Sequence, residues 1–267
     1  MIPENIREIY YNHQGNLIHK WDHYLDVYEK YFASYRGETV HMLEIGISHG
    51  GSLQFWKKYF GDKVHIYAID INPDCLKLQE DHTTIFIGSQ TDRQFLQEVI
   101  NQLPPLDFVI DDGGHTMEQQ RVSFEMLYMK VKNGGYYIVE DTHTSYWEQF
   151  HGGVKRPGSF IEKSKDFIDS LYEHHVFDKT EIIINEITQH IQCISFYDSI
   201  VVFEKSLRPK PFHTQIGKKT ITPFIPTDEY QPSEPTWMDK FLSKFKKKKP
   251  AVIHPFAAND GGIREIK

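Results

Sequence analysis

Two short apolar runs, Phe108-Val109-Ile110 and Tyr136-Tyr137-Ile138-Val139, each run straight into a pair of acids: Asp111-Asp112 and Glu140-Asp141. Runs this short, rich in β-branched and aromatic residues, predict buried strands. Between them, Thr116 to Lys132 carries Met117, Val122, Phe124, Met126, Leu127, Met129 and Val131 at helical spacing, which predicts a helix stopped by Asn133-Gly134-Gly135. Strand, helix, strand makes two parallel strands with a right-handed crossover. All four carboxylates then stand at the carboxyl ends of neighbouring strands, where open α/β sheets bind ligands.

Four carboxylates at one sheet edge repel one another, so a cation is expected among them. A hard divalent ion held by oxygen ligands fits this donor set best. His115 follows Asp112 by three residues in a Gly-rich loop and is placed to act on something bound there. The bland alternative is that the acids cap helices and solvate loops. Two acid pairs on consecutive strand ends, with a His beside one, favour a site.

Upstream, Thr39-Val40-His41-Met42-Leu43-Glu44-Ile45-Gly46 predicts a strand entering a Gly-rich turn, with a helix over Ser52 to Phe60. The dinucleotide fingerprint wants three Gly, and its places hold Gly46, Ser48 and Gly51. Ser48 at the middle place weakens a pyrophosphate reading, and Glu44 suits a cationic amine better than a phosphate. A second strand, Val64 to Ile69, ends in Asp70, near where nucleotide folds put an acid on ribose hydroxyls. A third, Thr84 to Ile87, is followed by Gly88-Ser89-Gln90-Thr91-Asp92, and Arg93 to Leu103 predicts a helix ahead of Pro104-Pro105. The fold class expected is α/β: a Rossmann-like, doubly wound, mostly parallel sheet. Ser159 is a candidate cap for a helix carrying Phe160, Ile161, Phe167, Ile168, Leu171 and Tyr172. His190–Tyr197 and Ile200–Lys205, joined at Asp198-Ser199, predict an antiparallel hairpin closing the sheet, a departure typical of methyltransferases rather than dinucleotide folds.

Three parts are expected: an N-terminal aromatic segment (1–36), a central domain (37–205) and a Pro/Lys-rich tail (206–267). In the first, Trp21 to Tyr35 predicts a helix with Trp21, Tyr24, Leu25 and Tyr28 on one face, either packed on the sheet or serving as a flap over a ring-shaped, hydroxyl-bearing substrate. A zinc site at His19 and His23 would need further ligands. Most of the 13 Pro lie in the tail. There Trp237, Phe241 and Phe245, followed by Lys246 to Lys249, suggest either a basic amphipathic helix for an anionic membrane face or a helix docked on protein, the second being favoured. A net charge of −7 argues against a nucleic-acid partner. No apolar run suits a transmembrane helix, the N-terminus lacks a signal-peptide layout, and two Cys are too few for a disulfide framework, so a cytoplasmic protein is expected.

Together, LEIGISHGGSLQFWKKYF, IYAIDINP, FVIDDGGH, YYIVEDTHTSYW and ISFYDSIVVFEK resemble one family of class I methyltransferases, the metal-dependent sugar O-methyltransferases of antibiotic biosynthesis such as the mycinamicin, macrocin and rhamnosyl-tetracenone enzymes. The resemblance spans roughly residues 40 to 205; DDGGH and EDTHTSYW in tandem are its specific part. It implies Asp112, Glu140 and Asp141 as magnesium ligands and His115 as general base. It also implies S-adenosylmethionine along Glu44, Gly46, Ser48, Gly51 and Ser52, with Asp70 on the ribose and Ser89, Gln90 and Asp111 nearby. A glycoside or sugar acceptor and a homo-oligomer are expected with it. Two other readings compete: a non-haem iron oxygenase using Asp112, His115 and His143 as a facial triad, and a carbohydrate-binding protein without chemistry.

Overall fold

The computed structural model describes residues 5–221 and 263–265, in two compact units, 1–209 and 210–267. The first unit carries β1 (Val40–Ile45), α3 (Gly51–Phe60), β2 (Val64–Asp70), β3 (Thr83–Ile87), α4 (Arg93–Gln102), β4 (Leu106–Asp111), α5 (Met117–Leu127) and β5 (Val131–Val139), preceded by α1 (Ile6–Tyr11) and α2 (Tyr24–Phe32). After β5 come α6 (Phe160–Leu171), α7 (Glu186–Gln189), β6 (Ile191–Tyr197) and β7 (Ile200–Lys205). The seven strands lie in the order β3-β2-β1-β4-β5-β7-β6. The five from β1 to β5 are parallel, while β7 runs antiparallel to both β5 and β6. This is the doubly wound sheet with a closing hairpin expected from the sequence, its chain order reversing between β1 and β4.

In the second unit, β8 (His213–Gln215) pairs in parallel with β9 (Ile263–Glu265). The tail stretch carrying Trp237, Phe241, Phe245 and Lys246 to Lys249 lies outside the described residues. No helix among the described residues is long and apolar enough to cross a membrane.

Local chemistry fixes the helix starts. Asp92 accepts from the backbone N–H of Gln94 and Phe95, Thr116 and Gln119 form a capping box, and Ser159 accepts from Glu162 N, as its place before the apolar spacing predicted. Each sheet face is covered by its own apolar cluster. On one face Trp56 meets Tyr28, Phe32, Phe55, Tyr59 and Phe60, and Ile6, Ile9, Tyr24 and Leu25 from the N-terminal segment join the same cluster. Such ring pairs add roughly 0.5–1.5 kcal/mol each beyond area burial.

Two sequence expectations are corrected here. The helix expected to reach Lys132 ends at Leu127, and Val131 already belongs to β5. Asn133-Gly134-Gly135 therefore lies inside a strand rather than stopping a helix: the pairing with β4 shifts there, Gly134 has φ of +84°, and a Cβ on Gly135 would stand 2.4 Å from Asp107 O. Trp21 lies ahead of α2 and is 51% exposed, whereas Tyr24, Leu25 and Tyr28 are buried.

Candidate active site

The ladder bonds continue past the strand ends and hold four loops level. Gly46 N donates to Ile69 O at 2.8 Å, Asp112 N to Ile45 O at 3.0 Å, Glu140 N to Asp111 O at 2.9 Å and Gly88 N to Asp70 O at 3.0 Å. Gly46 has φ of +83°, and a Cβ there would meet Asp112 O at 2.2 Å, so only Gly lets the first loop lie this close to the fourth strand's end. Three site residues that are not Gly also take the left-handed region, Ser48 at φ 46°, His115 at φ 58° and Asp141 at φ 52°. Such conformations are held by their surroundings and cluster at functional sites. Thr144 Oγ1 ties the last two, its one proton shared between His115 O at 2.8 Å and Asp141 O at 2.9 Å.

These loops wall a cavity of about 460 Å³, a size suited to a small-molecule ligand. Gly46, Ser48, Ser52, Asp70, Ser89, Gln90, Asp112, His115, Glu140 and Asp141 all lie on its wall. The segment between α1 and α2 completes the wall with Leu17, Ile18, His19, Lys20 and Trp21.

Asp70 braces the first loop. Its Oδ2 accepts from Ile47 N at 3.0 Å and Ser48 N at 3.2 Å, and its Oδ1 accepts from Asn72 N at 2.8 Å. Gln90 ties the third loop to the fourth: its Oε1 accepts from Gly114 N at 2.8 Å and its Nε2 donates to Asp111 Oδ1 at 3.1 Å.

Three residues expected at a cofactor do not reach the cavity wall. Glu44 is fully buried below the loop, where it accepts from Ser52 Oγ at 2.9 Å. Gly51 opens α3 against the N-terminal segment, where a Cβ would stand 2.4 Å from Asn16 O and Leu17 O. Asp111 is 1% exposed; burial pushes its carboxyl up to about 7, against the pull of the Gln90 amide.

One oxygen each from Asp112 and Asp141, with a ring nitrogen of His115, lie within 4.8 Å of one another, the one such group among the described residues. His115 Nε2 is 3.5 Å from Asp141 Oδ2 and 3.9 Å from Asp112 Oδ1, and its Nδ1 has no hydrogen-bond partner. His143 is not in this group. Its ring packs edge-on between Trp21 (5.8 Å) and Trp147 (4.6 Å), which leaves the facial-triad reading without its second imidazole.

The residue that the sequence did not mark is Lys20. Its side chain is 3% exposed, and Nζ stands 2.6 Å from Asp112 Oδ2, 3.0 Å from Glu140 Oε2 and 3.7 Å from Glu44 Oε1. Burial alone would lower this ammonium's pKa; Asp112, Glu140 and Glu44 together outweigh it and raise it well above the usual lysine value. A positive charge among the acids is thus supplied by a side chain, beside the divalent ion that the sequence leads one to expect. Tyr28 OH donates to Glu140 Oε1 by a short bond, and Tyr24 OH donates to Asp141 Oδ1 at 2.6 Å. No local signal marks Lys20: a single Lys between His19 and Trp21 looks like solvated loop, and only packing carries it to the acids.

No family model matches the chain. Structure and sequence comparisons nevertheless agree. The MycE methyltransferase of the mycinamycin biosynthetic pathway, solved with Mg and SAH, superposes with a TM-score of 0.69 at 27% identity, over 76% of this chain and 55% of that one. The fold is that of class I methyltransferases. By sequence, demethylmacrocin O-methyltransferase of Streptomyces fradiae is 35% identical over 191 residues, 67% of this chain and 48% of that protein. Mycinamicin VI 2''-O-methyltransferase of Micromonospora griseorubida is 32% identical over 189 residues, 67% of this chain and 47% of that protein. The chain is similar to sugar O-methyltransferases, as its motifs suggested. It spans about half the length of the curated relatives it matches.

Proposed function

We propose that this chain is an O-methyltransferase dependent on S-adenosylmethionine and a divalent cation, acting on a hydroxyl of a sugar or glycosylated natural product. The observation that carries this is the convergence of Asp112, His115 and Asp141 on a cavity whose other wall is the Gly46–Ser48 loop and Asp70. The relatives support it, one of them solved with Mg, SAH and mycinamycin VI.

The residues present fit both groups. Two carboxylates that face a cavity beside an imidazole are a donor set for a hard cation, and magnesium is the natural choice. Asp112 and Asp141 would hold it, with Glu140 the third acid of the set. Ser48, Asp70, Ser89 and Gln90 would border the sulfonium cofactor, with Asp70 keeping the Ile47-Ser48 backbone in place. When bound, the sulfonium would supply the methyl group and the cation would supply positive charge that makes an acceptor hydroxyl more acidic.

The chain's own residues do the rest. A sugar hydroxyl is a weak acid and a poor nucleophile. His115 is placed to take its proton, lying on the cavity wall with Nε2 3.5 Å from Asp141 Oδ2. General-base help of this kind contributes about 10²–10⁴-fold. The cavity wall holds acceptor and cofactor in one orientation, which removes much of the remaining barrier. For the acceptor ring, Trp21 and Trp147, 51% and 45% exposed, flank His143 beside Asp141 and offer ring faces to an apolar sugar face. Residues 17–21 act here as part of the substrate wall. A cytoplasmic homo-oligomer completes the proposal, and light scattering on the purified chain tests the assembly.

Calorimetry with S-adenosylmethionine and with NAD, followed by a methyl-transfer screen over deoxysugar glycosides, tests the function. Micromolar binding of the sulfonium compound, no useful NAD binding and a methylated glycoside are expected. NAD binding without sulfonium binding would overturn it.

A further inference from the structure

Lys20 resolves a difference between the two acid sets. The family resemblance groups Asp112 with Glu140 and Asp141; the geometry groups Asp112 with His115 and Asp141. Glu140 lies outside the second set, and its headgroup is held elsewhere, with Lys20 Nζ 3.0–3.2 Å from its two oxygens and Tyr28 OH on Oε1. The same ammonium holds Asp112 Oδ2 at 2.6 Å, while Asp112 Oδ1 is the oxygen nearer His115. Magnesium binds carboxylate oxygens at about 2.0–2.1 Å in an octahedral shell. An ammonium within hydrogen-bond distance of the same oxygens occupies that volume, and the two positive charges repel.

We propose that Lys20 is the resident occupant of this cation position, competing with the divalent ion for Asp112 and Glu140, so that metal loading withdraws Lys20 and moves the 12–23 segment. This rests on the metal-dependent reading above. The segment is built so that the motion is local. Asn16 N donates to Gln54 Oε1 at 2.7 Å, which anchors its first half on α3. Near the lysine the backbone is held more loosely, Lys20 N donating to Tyr10 OH at 3.2 Å and Tyr10 OH lying 3.5 Å from Lys20 O. Lys20 lies between His19 and Trp21, which wall the cavity, so withdrawing it changes the wall. An ion that must displace a tethered cation binds more weakly than it otherwise would, and by linkage its binding pushes the segment outward to the same extent. The empty-handed and loaded forms then differ in the surface they offer an acceptor, which couples metal occupancy to acceptor binding.

The test uses the full chain and Mn²⁺ as probe, with free Mn²⁺ counted by electron paramagnetic resonance in wild type and Lys20→Met. The expected result is at least about ten-fold tighter Mn²⁺ binding in the variant, as removal of a competing unit charge at contact distance implies. Because Lys20→Met leaves buried carboxylates without their counter-charge and can fail to fold, hydrogen exchange of residues 16–22 in the wild type provides a second measure. Saturating Mn²⁺ should raise exchange there several-fold while leaving α3 unchanged. Equal or weaker Mn²⁺ binding in a folded variant, or unchanged exchange in Mn²⁺-saturated wild type, would overturn the proposal with the metal site intact. Absence of Mn²⁺ binding in both proteins would instead contradict the metal-dependent reading, and the proposal with it.

Discussion

Tyr24 OH donates to Asp141 Oδ1 at 2.6 Å and accepts from Asp141 N at 3.2 Å, so one phenol from the N-terminal segment clamps both ends of a carboxylate residue held at φ 52°. Tyr24→Phe keeps the buried ring and deletes the clamp. Asp141 Oδ1 and the Asp141 N–H lose their partner, while Ser199 O keeps Thr142 N at 2.9 Å. The expected loss is roughly 1–3 kcal/mol of unfolding free energy, read from a urea transition with unchanged slope. A transition coincident with wild type would show that the clamp contributes nothing.

His115→Ala separates proton transfer from binding. Sulfonium and metal binding should persist, while kcat should fall by about two to four decades. Steady-state kinetics beside calorimetry check both halves. Full activity would hand the base role to another residue, with Asp111 and His143 the next candidates.

Asp70→Ala should weaken S-adenosylmethionine by roughly 1–3 kcal/mol. Both Asp70 oxygens already hold backbone N–H groups, so the loss includes loosening of the Ile47-Ser48 turn. Calorimetry reads it, and an unchanged affinity would remove Asp70 from the cofactor site.

The two thiols should part by environment. Cys193 is exposed, while Cys75 is buried and donates to Ser48 O at 3.4 Å; burial and then Asp70 push its thiol up to about 11. A folded pKa above the unfolded value favours the fold below about pH 8.5 and loses that contribution as pH rises through about 11. At pH 8 a disulfide reagent should therefore titrate one thiol quickly, and the second only on unfolding. Two fast thiols in the native protein would contradict this placement.

Much of the frame was legible because short apolar strands ending in acids, and helices opened by Asp92, Thr116 and Ser159, are local signals. The beginning of β5 was not, because Asn133-Gly134-Gly135 has turn chemistry and becomes strand only by pairing irregularly with β4. At the site, Asp112, His115 and Asp141 were marked by their places at strand ends. Lys20 was not, since its partners lie 92 and 120 residues away in sequence and no periodicity carries such a contact. Gly51 shares the fingerprint's spacing with real wall residues and Glu44 lies just before the turn, but Gly51 is spent on packing against Asn16 and Leu17 and Glu44 on Ser52.

Metal dependence is the centre of this account, and methyl transfer from labelled S-adenosylmethionine to a glycoside acceptor, measured in metal-stripped protein and again with magnesium restored, tests it most directly. No transfer is expected in excess chelator, with recovery on adding magnesium and no recovery in Asp112→Asn or Asp141→Asn, each of which lacks a charged oxygen ligand. Undiminished transfer by protein shown to be metal-free would contradict it.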